Sequence, residues 1–347
     1  MPGDRVGSLR AAYWEALGDG RVACRLCPHA CVLAEGASGI CRVRRNEGGA
    51  LALPYFGAIS SLAVDPIEKK PLLHFLPGSE VFSAGFLGCN LRCPFCQNWE
   101  ISQSLEPPVR RMEPAELVEQ ARRSGCPSIA YTYSEPLVHF EFILECMGLA
   151  RRAGLRNVLV TNGCVGEGAA RELLALTDAA NVDLKCWSEE TYKETLWGDR
   201  GAVIRFISLA AAACHLEVTT LVVPGLNDSE AEIESIAGFL LGLSPDIALH
   251  LSAYHPDWKH RAPATGGAEL RALAERARSR LRYVYIGNLP GEGSDTRCPT
   301  CGTLLVRRRG YSTRIEGLAA RGAPKAATGP VLGRCAACGA SLPIVVR

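Results

Sequence analysis

Most of the sixteen cysteines in this 347-residue chain fall into groups. Cys24, Cys27, Cys31 and Cys41 lie near the N-terminus, Cys89, Cys93 and Cys96 lie together in the middle, and Cys298, Cys301, Cys335 and Cys338 lie near the C-terminus. Cys126, Cys146, Cys164, Cys186 and Cys214 are scattered singly and read as small buried hydrophobes. Met1 to Arg10 lacks the apolar core of a secretory signal, so a cytoplasmic location is expected. In a reducing cytosol grouped thiols hold metal or do chemistry more often than they form disulfides.

Each group points to its own centre. Residues 85–98 read G-F-L-G-C-N-L-R-C-P-F-C-Q-N, which places Cys89, Cys93 and Cys96 in a C-x3-C-x2-C pattern. A four-iron cluster ordinarily takes four thiolates. Here there are three and no fourth nearby, so one iron would stay open to a small molecule. The alternative is a three-cysteine zinc site completed by a distant residue. The C-terminal group reads C-P-T-C-G, a long gap, then C-A-A-C-G. Two such knuckles, each followed by glycine, are the ribbon pattern for structural zinc. The gap contains Arg307–Arg309, read as a solvated loop or strand, and a Gly/Ala/Pro stretch from Gly322 to Pro330, read as a loop. The N-terminal group runs C-x2-C-x3-C-x9-C with Pro28 and His29 inside. Four thiolates, or three with His29, could hold structural zinc or a second iron–sulfur cluster, and the spacing matches neither pattern cleanly. His29 itself reads better as a packing residue.

The elements that must position these groups form an alternating series. Strands are expected over 81–87, 128–133, 157–160, 181–184, 216–223 and 247–253, with a short last strand over 283–286. Helices are expected over 114–124, 136–153, 168–176, 189–196, 204–214, 229–241 and 268–280, several with clear start and stop residues such as Pro114 and Gly125. Six strand–helix alternations in about 210 residues predict an α/β fold with a parallel sheet, of the partial (β/α)6 barrel kind. Three domains follow: residues 1–75 as a four-cysteine metal-binding segment, 76–290 as the barrel, and 291–347 as a zinc-ribbon-like module. In such barrels the site lies at the carboxyl ends of the strands. There stand the three cysteines, Tyr133-Ser134-Glu135, Thr161-Asn162-Gly163, Asp183-Leu184-Lys185, Pro224-Gly225-Leu226-Asn227-Asp228 and Tyr254-His255-Pro256. Asp228 also reads as a helix N-cap.

Composition narrows the choices further. Lys and Arg number 38 against 36 Asp and Glu, so the chain is near neutral at +2 and has no broad footprint for nucleic acid. No charge-poor apolar run reaches the ~18 residues of a membrane span.

At the middle cysteines the sequence resembles the radical S-adenosylmethionine (radical SAM) superfamily, whose signature is C-x3-C-x-aromatic-C, with Phe95 in the aromatic place. The resemblance implies a [4Fe–4S] cluster whose open iron is chelated by S-adenosylmethionine, reductive cleavage to a 5′-deoxyadenosyl radical, and hydrogen abstraction from a substrate. It implies that Ser134 and Glu135 meet the methionyl amino group and that Phe95 lies along the adenine. Thr161, Asn162, Asp183 and Lys185 resemble positions of the glycyl-radical activating enzymes, where the lysine approaches the methionyl carboxylate. His255 resembles a pocket histidine that positions ribose or acts on substrate. Those activases carry an acidic residue where this chain has Val160 and an arginine where it has Thr219, which weakens the activase reading.

Over most of its length the chain resembles the radical SAM member of the AmmeMemoRadiSam system. The residues that carry this are C-x2-C-P-H-x-C at the N-terminus, Asp65-Pro66-Ile67-Glu68-Lys69-Lys70-Pro71-Leu72, Cys96-Gln97-Asn98, Tyr131-Thr132-Tyr133 and the cysteine-rich tail. The resemblance implies Memo-like and AMMECR-type protein partners and an electron donor of flavodoxin or ferredoxin type. Two further readings remain: an RNA-modifying radical SAM enzyme, and a non-catalytic metal-binding adaptor.

Overall fold

A computed structural model of the chain describes residues 11–320 and 330–347. The reading of Met1 to Arg10, and that of the Gly322–Pro330 loop apart from Pro330, lie outside the described residues. The N-terminal cysteines sit on two small sheets. β1 (Trp14–Ala16), β2 (Val22–Cys24) and β3 (Val32–Leu33) form one antiparallel sheet, and β4 (Arg45–Glu47) pairs with β5 (Ala50–Ala52). Gly48 and Gly49 take φ of +63° and +74° between the last two, the conformation a two-residue hairpin turn requires.

The centre is a nine-stranded sheet of β6 (Ala58–Pro66), β7 (Glu80–Phe86), β8 (Arg110–Arg111), β9 (Ser128–Thr132), β10 (Arg156–Thr161), β11 (Ala179–Asp183), β12 (His215–Val222), β13 (Ala248–Ala253) and β14 (Val284–Gly287). Its order is β14-β13-β12-β11-β10-β9-β7-β6-β8. From β7 to β14 the ladders are parallel, and β6 and β8 add antiparallel strands at one edge. The short strand expected over 283–286 is a full member of the sheet as β14. Helices α1 (Trp99–Ser102) and α2 (Pro114–Arg123) lie between β7 and β9. Then α3 (Phe140–Arg152), α4 (Glu167–Leu174), α5 (Arg200–Ala213), α6 (Glu230–Leu243) and α7 (Gly267–Arg278) each connect the next parallel pair. Strands such as β9 are buried at every residue, as expected where crossovers cover both faces.

Three local expectations change. Residues 58–66 fall in the expected N-terminal segment, yet as β6 they pair with β7 from Ile59–Phe86 to Pro66–Glu80, inside the main sheet. The helix expected over 189–196 forms over 189–195, but with wider hydrogen bonding at Thr191–Thr195 and Trp197 at φ +55° after it. The N-cap of α6 is Ser229, whose side chain accepts from the Glu232 N–H, while Asp228 instead receives the Gly225 N–H at 3.0 Å.

At the C-terminus, β15 (Thr296–Arg297), β16 (Leu304–Arg309) and β17 (Ser312–Ile315) form one antiparallel sheet, and β18 (Leu318–Ala320), β19 (Leu332–Cys335) and β20 (Ser341–Val345) form another. Arg307 and Arg309 are solvated, but Arg308 is not. Its side chain is 1% exposed, with Nη2 donating to the Leu73 carbonyl at 2.6 Å and Nη1 to Ser294 O and Thr296 Oγ1 at 2.8 Å. This arginine ties the C-terminal module to the segment after β6. The same segment is held from below by buried Glu217, whose carboxylate accepts the N–H groups of Leu73 (3.0 Å) and His74 (2.7 Å).

Candidate functional site

A cavity of about 540 Å³ opens at the carboxyl ends of the parallel strands. β7 runs into the loop bearing Cys89, Cys93 and Cys96, and all three line the cavity. β9 leads to Tyr133, Ser134 and Glu135, β10 to Thr161 and Asn162, and β11 to Asp183 and Lys185. Phe95, 2% exposed, forms part of the wall. The loop is placed by Gly88, at φ +83°, where a Cβ would come 2.5 Å from the carbonyl oxygen of Cys41. Only glycine lets the N-terminal segment lie this close to the start of the cysteine loop.

The three thiols face the cavity without converging on a point. Burial pushes the Cys89 thiol well above its ordinary value, with Glu135 adding to the effect. Burial likewise pushes Cys93 up to about 12, against the pull of Lys185. The Leu91 N–H donates to Cys89 Sγ at 3.3 Å, and the Asn162 amide lies 3.7 Å from it. Among the described residues, one set of three or more metal-ligating side chains has its ligand atoms all within 4.8 Å of one another, and it is Cys298, Cys301, Cys335 and Cys338. There Cys298 and Cys338 are 3.7 Å apart, and Cys301 and Cys335 are 3.6 Å apart. A tetrahedron of sulfurs about 2.3 Å from one ion has edges of about 3.8 Å. The C-terminal four therefore fit a single ion. The cavity trio is not gathered so closely, and a cluster in which each thiolate serves its own iron does not require it to be.

The polar wall is tightly organised. Glu135 is buried and accepts from Thr161 Oγ1 (2.6 Å), Asn162 N (2.8 Å) and Leu137 N (2.9 Å), so its carboxylate clamps the loop after β10. Burial nevertheless raises its pKa to about 7, against those hydrogen bonds. Lys185 Nζ pairs with Asp183 Oδ2 at 2.6 Å. Burial works against the ammonium, but Asp183 and the nearby thiols outweigh it and hold Lys185 above its ordinary value. Ser134 Oγ is buried in the wall with no hydrogen-bond partner.

One expected residue stands outside this arrangement. His255 is exposed, with Nε2 3.2 Å from the Asn288 carbonyl, because the chain turns outward after β13. A histidine beside Phe95 of the cysteine loop is His260, whose ring lies 6.2 Å from that of Phe95 and whose Nε2 is buried without a partner. The N–H groups of Lys259 and His260 both donate to the Pro94 carbonyl, at 3.1 and 3.0 Å.

The cavity also recruits residues that the reading of strand ends passed over. Lys69, Lys70 and Pro71 line it, as does Tyr311 from the turn between β16 and β17. Asp65 binds Lys69 at 2.8 Å and Lys70 at 2.7 Å and also receives the Tyr133 hydroxyl. Lys70 is 1% exposed and lies 4.2 Å from the centre of the Tyr133 ring. Tyr133 holds φ +71°, a left-handed conformation costing about 1–2 kcal/mol for a residue of this kind. The available signal was two adjacent lysines sharing one aspartate within six residues.

The N-terminal cysteines pack against the same loop from outside. His29 Nε2 lies 2.8 Å from the Asn90 carbonyl, and the Asn90 amide donates to Cys164 O at 2.6 Å. Arg92 donates to the Ile40 carbonyl, and Arg42 to that of Gln103. The scattered Cys126, Cys146, Cys164 and Cys186 are buried, and Cys214 is half-buried.

Comparison with known proteins gives four results. The family model described as the radical SAM superfamily matches residues 85–239. The chain is 39% identical over 343 residues to the uncharacterized protein MJ0808 of Methanocaldococcus jannaschii, covering 97% of this chain and 99% of that one. It is 24% identical over 192 residues to the pyruvate formate-lyase 1-activating enzyme of Escherichia coli, covering 53% of this chain and 78% of that enzyme. Among solved structures, a domain of the pyruvate-formate lyase-activating enzyme of Bacteroides vulgatus superposes with a TM-score of 0.41 at 19% identity, covering 46% of this chain and 98% of that domain.

Proposed function

Because the chain belongs to the radical SAM superfamily and is related to the pyruvate formate-lyase activating enzymes, we propose that it is an enzyme that cleaves S-adenosylmethionine reductively to abstract hydrogen from a small molecule or a protein side chain. The observation that carries this reading is the trio of thiols, too widely spaced for one ion, opening onto one cavity that also holds the Lys185–Asp183 pair. Cys89, Cys93 and Cys96 would hold a [4Fe–4S] cluster. Cluster and S-adenosylmethionine, when bound, supply carbon–sulfur cleavage and a radical able to take hydrogen.

The chain's own residues hold and enclose the reactants. Lys185, fixed by Asp183, keeps N–H donors free for a carboxylate. Ser134 Oγ, in the wall of the same cavity, is a buried hydroxyl without a partner. Phe95 offers a flat apolar face. Val160 and Thr219 both lie in the wall, giving a neutral pair where the activases are expected to carry an acid and an arginine. That favours a substrate other than a glycyl-radical protein.

The C-terminal thiols would hold structural zinc. An electron donor of flavodoxin or ferredoxin type, Memo-like and AMMECR-type partners and a cytoplasmic location belong to the same proposal. No helix among the described residues is long and apolar enough to cross a membrane. The test is anaerobic reconstitution, reduction and addition of S-adenosylmethionine, with 5′-deoxyadenosine as the product measured. A filled, reducible cluster that yields none would overturn the reading.

A further inference from the structure

We propose that Cys24, Cys27, Cys31 and Cys41 hold a second iron–sulfur cluster, set against the loop that carries Cys89. This inference stands on the N-terminal segment alone and does not rest on the reading of the cavity.

The four thiols are gathered from separate places: the end of β2, the turn after it, the residue before β3 and the loop before β4. Backbone hydrogen bonds close the group. Cys24 N donates to Cys31 O at 2.8 Å, Ala30 N to Cys27 O at 3.1 Å, and Arg42 N to Gly39 O at 2.8 Å. A Cβ on Gly39 would lie 3.6 Å from Cys31 Sγ, so the loop before Cys41 is folded onto Cys31. All four cysteines are free, and Cys24 and Cys41 are buried. No three of the four thiols lie within 4.8 Å of one another, which separates them from the compact set of the C-terminal four. A single tetrahedral ion would need edges of about 3.8 Å. His29 Nε2 is taken by the Asn90 carbonyl, so only its Nδ1 remains open beside the four thiols.

Arg44 is an independent pointer. Its side chain is 1% exposed. Nη1 and Nη2 are taken by Glu141 at 2.8 and 2.9 Å and by the Ala12 carbonyl at 2.7 Å, yet Nε is buried without an acceptor. The guanidinium is close enough to Cys24 and Cys41 to be electrostatically coupled to both. A buried N–H left unpaired is costly. A cluster held by four thiolates supplies negative charge beside that group.

The experiment uses the anaerobically reconstituted full chain and a Cys89→Ser, Cys93→Ser, Cys96→Ser variant, with iron and zinc counted and electron paramagnetic resonance recorded after reduction. The wild type is expected to hold about eight irons, and the variant about four, with a signal that S-adenosylmethionine does not shift. A variant with no iron, whether it carries two zincs per chain or one, overturns the proposal. If the variant does not fold, the wild type decides. Two signals, one of them blind to S-adenosylmethionine, support the second cluster, and about four irons in total exclude it. Two clusters that both ignore S-adenosylmethionine would instead refute the proposed function and leave this inference standing.

Discussion

The C-terminal knuckles and the cavity loop both contain C-x2-C, yet the two regions use it in opposite ways. In the knuckles, Cys298 and Cys335 make matching bonds, Cys298 N to Thr303 O and Cys335 N to Ala340 O, both at 2.9 Å. Gly302 and Gly339 both turn at φ +74°. The two hairpins therefore aim four sulfurs at one point. Cys93 and Cys96 stand instead on a loop leaving a parallel strand, pinned at Pro94 from behind, and their sulfurs face an open room. The surroundings differ as well. Thr303 hydrogen bonds hold the exposed Cys301 thiol down to about 6, whereas burial drives Cys93 up to about 12. Equal spacing in sequence thus yields four convergent thiols in one region and thiols lining an open cavity in the other, and the turn geometry around the thiols decides which.

This contrast predicts a ranked series of effects. The largest is in Cys93→Ala, which should reduce 5′-deoxyadenosine formation to background while the chain keeps its C-terminal metal. Metal loss from both regions at once would mean that they are one cooperative unit. Next, Cys298→Ala should lower stability by several kcal/mol, the scale of a lost structural metal. Protein that still folds should cleave S-adenosylmethionine. A folded variant with a full cavity cluster but no cleavage would show that the tail shapes the site, a route that Arg308 and Tyr311 make available.

Lys185→Met should weaken S-adenosylmethionine binding by about 10- to 100-fold, the range of one charge-assisted hydrogen bond, with iron content unchanged. Unchanged affinity in a binding titration would remove the lysine from the ligand's contacts. The smallest effect concerns His139, whose Nε2 lies 2.7 Å from the Leu87 carbonyl just ahead of the cysteine loop. Burial lowers its pKa to about 4, with Leu87 opposing. The unfolded chain takes up a proton near pH 6.5 that the folded chain refuses until about 4, so stability present above pH 6.5 is lost as the pH falls. Between pH 8 and pH 5.5 this amounts to about 1 kcal/mol. In denaturant titrations His139→Gln should flatten that part of the pH dependence.

Much of the scaffold was legible because parallel strands buried on both faces leave short apolar runs, as in Ile129–Tyr131 and Val158–Val160. The antiparallel strand β6, next to the sheet edge, was not. Its apolar run Leu62–Val64 is half-buried to exposed and flanked by polar residues, and its pairing with β7 is a long-range event. The strand-end rule located Cys89, Glu135, Asn162 and Lys185 correctly at the cavity. It misplaced His255, because a loop after a strand can turn away, and it could not reach Lys69 or Tyr311, which arrive from the flanking segments.

What the sequence determined by itself was the grouping of the cysteines, since thiol number and local spacing are properties of a short stretch of chain. Only the tertiary structure decided how far apart those thiols stand. It decided too which carboxylate is spent on the backbone, as Glu135 is, and that Arg308 is a buried tie between modules. Those outcomes depend on which distant segments pack together, and local spacing does not encode that.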